Sequence, residues 1–126
     1  MSERRYAMTV TVESRYLPEQ SRPEDGDYTF AYKVRVTNTG TVPAQLISRH
    51  WIITDANGRV VEVKGLGVVG QQPLLGPGQS FEYGSGSQLA TSTGSMRGSY
   101  FCVAEDGERF EAPIPEFALA VPRTLH

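Results

Sequence analysis

The stretch "GLGVVG", Gly65 to Gly70, carries glycines at the spacing of a dinucleotide-binding loop. In such a loop the glycines let the backbone approach a pyrophosphate. A helix must then begin, so that its N-terminal N–H groups and dipole receive the charge. Here Gln71, Gln72 and Pro73 follow, and "GPG" soon after, so no helix starts and continues. The acidic residue that would hold a ribose about 20 residues further on is missing, since no Asp or Glu lies between Glu82 and Glu105. A phosphate loop of the NTPase kind needs Lys and then Ser or Thr after its last glycine, where two glutamines stand. Two readings remain. One is an anion-binding nest of backbone N–H groups, with Lys64, Arg59 or Arg97 adding charge. The other, favoured by the residues, is a structural corner whose glycines supply positive φ while Val68 and Val69 pack down.

Other reactive side chains are sparse. His50, His126 and Cys102 are too few and wrongly spaced for zinc, so no metal site is expected. Glu105, Asp106 and Glu108 sit in "AEDGE" and read as a solvated turn without the ligand pattern of a calcium loop. No catalytic residue is assigned. His50 falls inside a strand pattern, "SRHW", where alternation puts Ser48 and His50 on one face and Arg49 and Trp51 on the other. The expectation is an imidazole that holds a backbone carbonyl while Trp51 anchors the core. "GSGS" and "GSMRGS" lack both the spacing and the strand-to-helix context of a serine nucleophile elbow. Lys33 and Arg35 read as a solvated sheet face, so no nucleic-acid partner is expected.

The elements that carry these residues follow from period-two alternation. Met8, Val10 and Val12 alternate with Thr9, Thr11 and Glu13, and Tyr28, Phe30, Tyr32, Val34 and Val36 share one face of a second run. "PAQLISRHWIITD" and "RVVEVKG" flank a turn at Asp55 to Gly58, where Asn57 and Gly58 tolerate positive φ. Asp106 and Gly107 make a second hairpin signal. Between the hairpins only "QSFEY" reads as a strand. Pro113 and Pro115 withhold donors on one side of the last strand, which marks a sheet edge. No apolar stripe at helical spacing persists, and 13 glycines and 8 prolines punctuate every run. The pattern predicts an all-β chain of about seven short antiparallel strands in an immunoglobulin or fibronectin type III-like sandwich.

Length and composition agree. A chain of 126 residues, 39% hydrophobic and 21% charged, has the composition of a globular protein and is read as one domain over 1–126. A net charge of -2 provides no field to gather polyanions. No apolar run approaches bilayer length, so no membrane insertion is expected. One cysteine and no secretory start point to the cytoplasm.

From about Met8 to Val121 the chain resembles the ApaG family of small bacterial proteins. The likeness is carried by "LISRHWIITDANGRVVEVKGLGVVGQQPLLGPGQSFEYGSGSQL", "GSMRGSY" and "PIPEFALAVP", in order. The resemblance implies a fibronectin type III-like or immunoglobulin-like sandwich. It also implies a link to cobalt resistance and magnesium efflux (under the name CorD) and to dinucleoside polyphosphates, through gene neighbourhoods shared with a diadenosine tetraphosphate hydrolase. Related domains in eukaryotic F-box proteins and a DNA-polymerase-associated protein imply an interaction role. It assigns no catalytic residues. The expected function is a non-enzymatic binding module with no cofactor, engaging an unidentified protein partner or pairing with itself as a homodimer through a sheet edge. The expected surface is Gly65, Gly67, Gly70, Gln71, Gln72 and Pro73, helped by Arg49 or by the "PIP" segment, Pro113 to Pro115. The alternative is a small-molecule binder that takes pyrophosphate or a dinucleoside polyphosphate in the Gly65–Gly70 loop.

Overall fold

The computed structural model describes residues 5–122. Eight strands follow in order: β1 (Met8–Tyr16), β2 (Tyr28–Asn38), β3 (Ala44–Asp55), β4 (Val60–Leu66), β5 (Leu74–Leu75), β6 (Ser80–Leu89), β7 (Thr93–Ala104) and β8 (Arg109–Ala120). The helical content among these residues is two single 3-10 turns, Pro18–Gln20 and Pro23–Asp25. No helix there is long and apolar enough to cross a membrane. All pairings are antiparallel: β1-β2-β6 makes a small sheet, and β4-β3-β7-β8, with β5 also on β3, makes a larger one. The fold is the expected all-β sandwich, with eight strands in place of about seven. The extra one is β5, whose two residues are too few to show a period.

Alternation decides what the sheets bury. Phe30, Tyr32, Val34 and Val36 of β2 point inward and meet Leu46 and Trp51 of β3, Met96 and Tyr100 of β7 and Leu119 of β8. Trp51 is 3% exposed and makes edge contacts with Tyr32 of the facing sheet and with Tyr100 and Phe117 of its own. The inter-sheet anchor is where the sequence puts it. Tyr83 of β6 and Tyr100 pair their hydroxyls across the buried interface. Desolvation raises both phenols above their ordinary range, Tyr83 to about 12.

Both hairpins close as expected. At each turn an aspartate oxygen accepts backbone N–H groups: Asp55 from Asn57 and Arg59, Asp106 from Glu108. Positive φ falls on Gly58 and Gly107, whereas Asn57 does not adopt it. Asp106 also accepts from the Tyr6 hydroxyl, so "AEDGE" is a capped turn. β6 runs through "GSGS" to Leu89, well past "QSFEY". Its serines and glycines hold the ladder because β2 pairs with them residue for residue, Gly84 opposite Lys33 and Gly86 opposite Ala31. β8 ends its sheet, and one extra residue bulges it between Ile114 and Phe117, where Pro115 sits. The prolines mark an edge, as their missing donors require.

Candidate functional site

The site is built on a bulge in β3. Leu46 pairs Cys102 and Ser48 pairs Phe101, so Ile47 is an extra residue with no partner on β7. Its carbonyl accepts from the Gly67 N–H at 2.7 Å and from the Gln72 side-chain amide at 2.9 Å. The bulge therefore anchors the chain that leaves β4. Gln45 adds a bond to the Gln72 carbonyl, and the Leu46 N–H donates to Pro73, which leads directly into β5.

Between these anchors Val68 and Gln71 exchange backbone hydrogen bonds of 2.8 and 2.9 Å around Val69 and Gly70. Both central residues have positive φ, 42° and 79°, as in a two-residue type I′ turn. A β-branched residue in that region is strained. Gly67, at φ 66°, makes the corner before it, and a Cβ there would lie 2.5 Å from the Gln71 carbonyl oxygen. Gly65 plays a different part. It lies within β4 opposite Arg49, and a Cβ on it would fall 2.9 Å from the guanidinium. Its bare backbone makes room for Arg49, whose Nη1 donates to the Leu66 and Gly67 carbonyls at 3.0 and 2.9 Å.

Of the residues expected to form a surface, Gly65, Gly67, Gly70, Gln71, Gln72, Pro73 and Arg49 are indeed neighbours, but they do unlike things. Arg49 and Gln72 pin the loop, Pro73 is half-buried, and Gly70 and Gln71 are exposed at the turn. Val68 packs down at 0% exposure, but Val69 does not: it stands 57% exposed at the tip. In a two-residue turn successive side chains cannot both face the core. No helix follows Gly70; Gln71 closes the turn and Leu74 enters a strand.

Other expectations resolve locally. His50 holds the Glu62 carboxylate at 2.8 Å and not a backbone carbonyl, because its side chain lies on the outer face, diagonal to Glu62 across the β3–β4 ladder. Cys102 is buried, and desolvation pushes its thiol up to about 12, which keeps it out of thiolate chemistry. Lys33 and Arg35 share Glu82 on the small sheet's outer face, at 3.0 and 3.8 Å. The hydrogen bond and attraction from Lys33 lower the Glu82 carboxyl.

Composition-based reasoning missed the apolar surface. Among the described residues every exposed large hydrophobic lies between residues 60 and 74: Val60, Val61, Val63, Leu66, Val69 and Leu74. Leu66 pairs Ser48 and Leu74 pairs Gln45, so both face outward, on either side of the Val69 tip. The available signal is "VVEVKGL", where apolar residues occupy both parities of a strand.

The sequence profile of the ApaG domain matches residues 18–104, more than half of the chain and the whole of this site. Protein ApaG of Ralstonia nicotianae is 66% identical over 122 residues, 97% of this chain and 98% of that one. Protein ApaG of Azotobacter vinelandii is 61% identical over the full length of both. A crystal structure from Bordetella pertussis, 63% identical, superposes with a TM-score of 0.94 over 98% of this chain and all of that one. A domain match over most of the chain and identity of this extent over nearly its whole length show that the chain belongs to the ApaG family.

Proposed function

We propose that the chain is a non-enzymatic interaction module of the cytoplasm that holds a protein partner against the β4 edge and the Gly67–Leu74 loop. One observation carries this reading: among the described residues the exposed large apolar side chains are confined to a single run, residues 60–74, whose loop is pinned by Arg49 and Gln72. Isolated surface hydrophobics are ordinary, but a contiguous set marks contact with another molecule. The strained Val69 fits the same reading, since a strained apolar tip persists where its presentation matters. The family resemblance supplies the setting in which to look, divalent-cation or dinucleoside-polyphosphate physiology.

The alternative, a pyrophosphate cradle at Gly65–Gly70, needs free donors. The N–H groups of Gly67, Val68 and Gln71 already donate to Ile47, Gln71 and Val68, and Arg49 faces inward onto two carbonyls. These internal bonds favour the interaction reading.

The test is capture from host lysate with immobilised full-length protein. Val69→Asp and Leu74→Asp change exposed side chains, and aspartate tolerates the φ of position 69 better than valine does. The expected result is a specific protein retained by the wild type and lost with either variant, at unchanged melting temperature. Equal retention by all three, or none by the wild type, would contradict the reading. Gly67→Asp is a poor probe, because it would break the corner itself.

A further inference from the structure

The large sheet has two unlike edges. β8 is protected by two prolines and a bulge, and it lies beside β1, with the Ser14 hydroxyl donating to the Ala118 carbonyl. β4 has no proline, no bulge and exposed apolar residues. The Asp55 N–H donates to Arg59 and the Gly67 N–H to Ile47, so by alternation Val61, Val63 and Gly65 direct their backbone groups to β3. Val60, Glu62, Lys64 and Leu66 aim theirs at the open side.

Those four residues are arranged symmetrically about Val63. Laid antiparallel on a second β4 with Val63 opposite Val63, the strand sets Glu62 opposite Lys64 and Val60 opposite Leu66, each pair twice. In every such pair both residues aim their backbone groups across the gap, so the ladder closes without a slip, the Leu66 carbonyl accepting from Val60 through the lone pair that its bond from Arg49 leaves free. On the outer face unlike charges meet in the middle and the two most exposed aliphatic positions of β4 meet at the ends. On the inner face Val61 lies opposite Gly65. A one-residue shift would point one strand's outward N–H groups at residues already bonded to β3.

We propose that β4 is a self-recognition strand: two copies of this chain pair antiparallel about a two-fold axis at Val63 and join their large sheets into one. The proposal rests on the reading of this edge as an interaction surface and names its occupant. Val69 and Leu74 stay outside the seam for a different partner. A seven-residue seam is short, so the dimer is weak, with a dissociation constant on the order of 100 μM.

Sedimentation velocity of the full-length chain, from micromolar to about 1 mM, tests this. E62K and K64E each set like charges opposite one another at both symmetric positions and should weaken the dimer at least ~10-fold. Mixed in equal amounts the two variants restore both unlike pairs, so a heterodimer should return at wild-type strength. A wild type that stays monomeric at about 1 mM, a dimer indifferent to either variant, or a mixture that fails to recover would overturn the proposal. Monomers that still capture a Val69-dependent protein would sink the dimer and leave the partner reading standing. A recovered heterodimer with no such capture would do the reverse.

Discussion

Gly67→Ala is expected to destabilise the chain by about 3 kcal/mol, and Gly70→Ala by only about 1. The two glycines share a motif and both have positive φ, 66° and 79°, so an alanine side chain meets the same left-handed penalty at each. Their surroundings differ. Nothing lies within 4 Å of a Cβ built on Gly70, whereas one on Gly67 comes within 2.5 Å of the Gln71 carbonyl oxygen. That oxygen accepts from Val68, so relieving the clash opens the Val68–Gln71 pair and pulls Gly67 from Ile47. Each backbone bond lost from this half-buried corner adds about 1 kcal/mol. Urea unfolding with unchanged slope reads the difference directly. Equal losses at the two positions would mean that the corner is not the two-residue turn described above.

Trp51→Ala should cost about 3–5 kcal/mol and lower the melting temperature by more than ~10 °C. The indole is 3% exposed and touches both sheets, with ring centroids 5.5 Å from Tyr32, 6.4 Å from Tyr100 and 5.9 Å from Phe117. Gly98 lies opposite it on β7 and has no side chain to fill the void. A Cβ on Gly98 would collide with the His50 carbonyl, so no larger residue fits at that position to fill it. Thermal unfolding by circular dichroism measures the loss. A fall of less than ~3 °C would show that the sheets are held by something other than this aromatic cluster.

The core was legible because burial in a sandwich writes itself as period two, and β2 shows it without interruption from Phe30 to Val36. Hairpins were legible because Asp and Gly have local reasons to sit in turns. β6 was underread because serine and glycine carry no strand preference of their own; their state is set by pairing with β2, a long-range fact. The exclusion of a cofactor helix after Gly70 needed only Pro73 and the following glycines. The roles within the loop were not legible. That Gly65 clears space for Arg49, that Val69 stands outward and that Ile47 is a bulge all depend on which residue faces which across β3 and β4. Period-two counting also fails in "VVEVKGL", because an edge strand that is covered on neither face has no buried parity to report.

The account turns on a glycine corner in which the Gly67, Val68 and Gln71 N–H groups are already bonded within the chain. The most direct measurement is a ¹H–¹⁵N titration of the full-length protein with a dinucleoside tetraphosphate, with and without Mg²⁺. The Gly67, Val68 and Gln71 amides should stay in place at millimolar ligand and should exchange slowly with solvent. Saturable shifts of those three amides would contradict the account and restore the loop as an anion site.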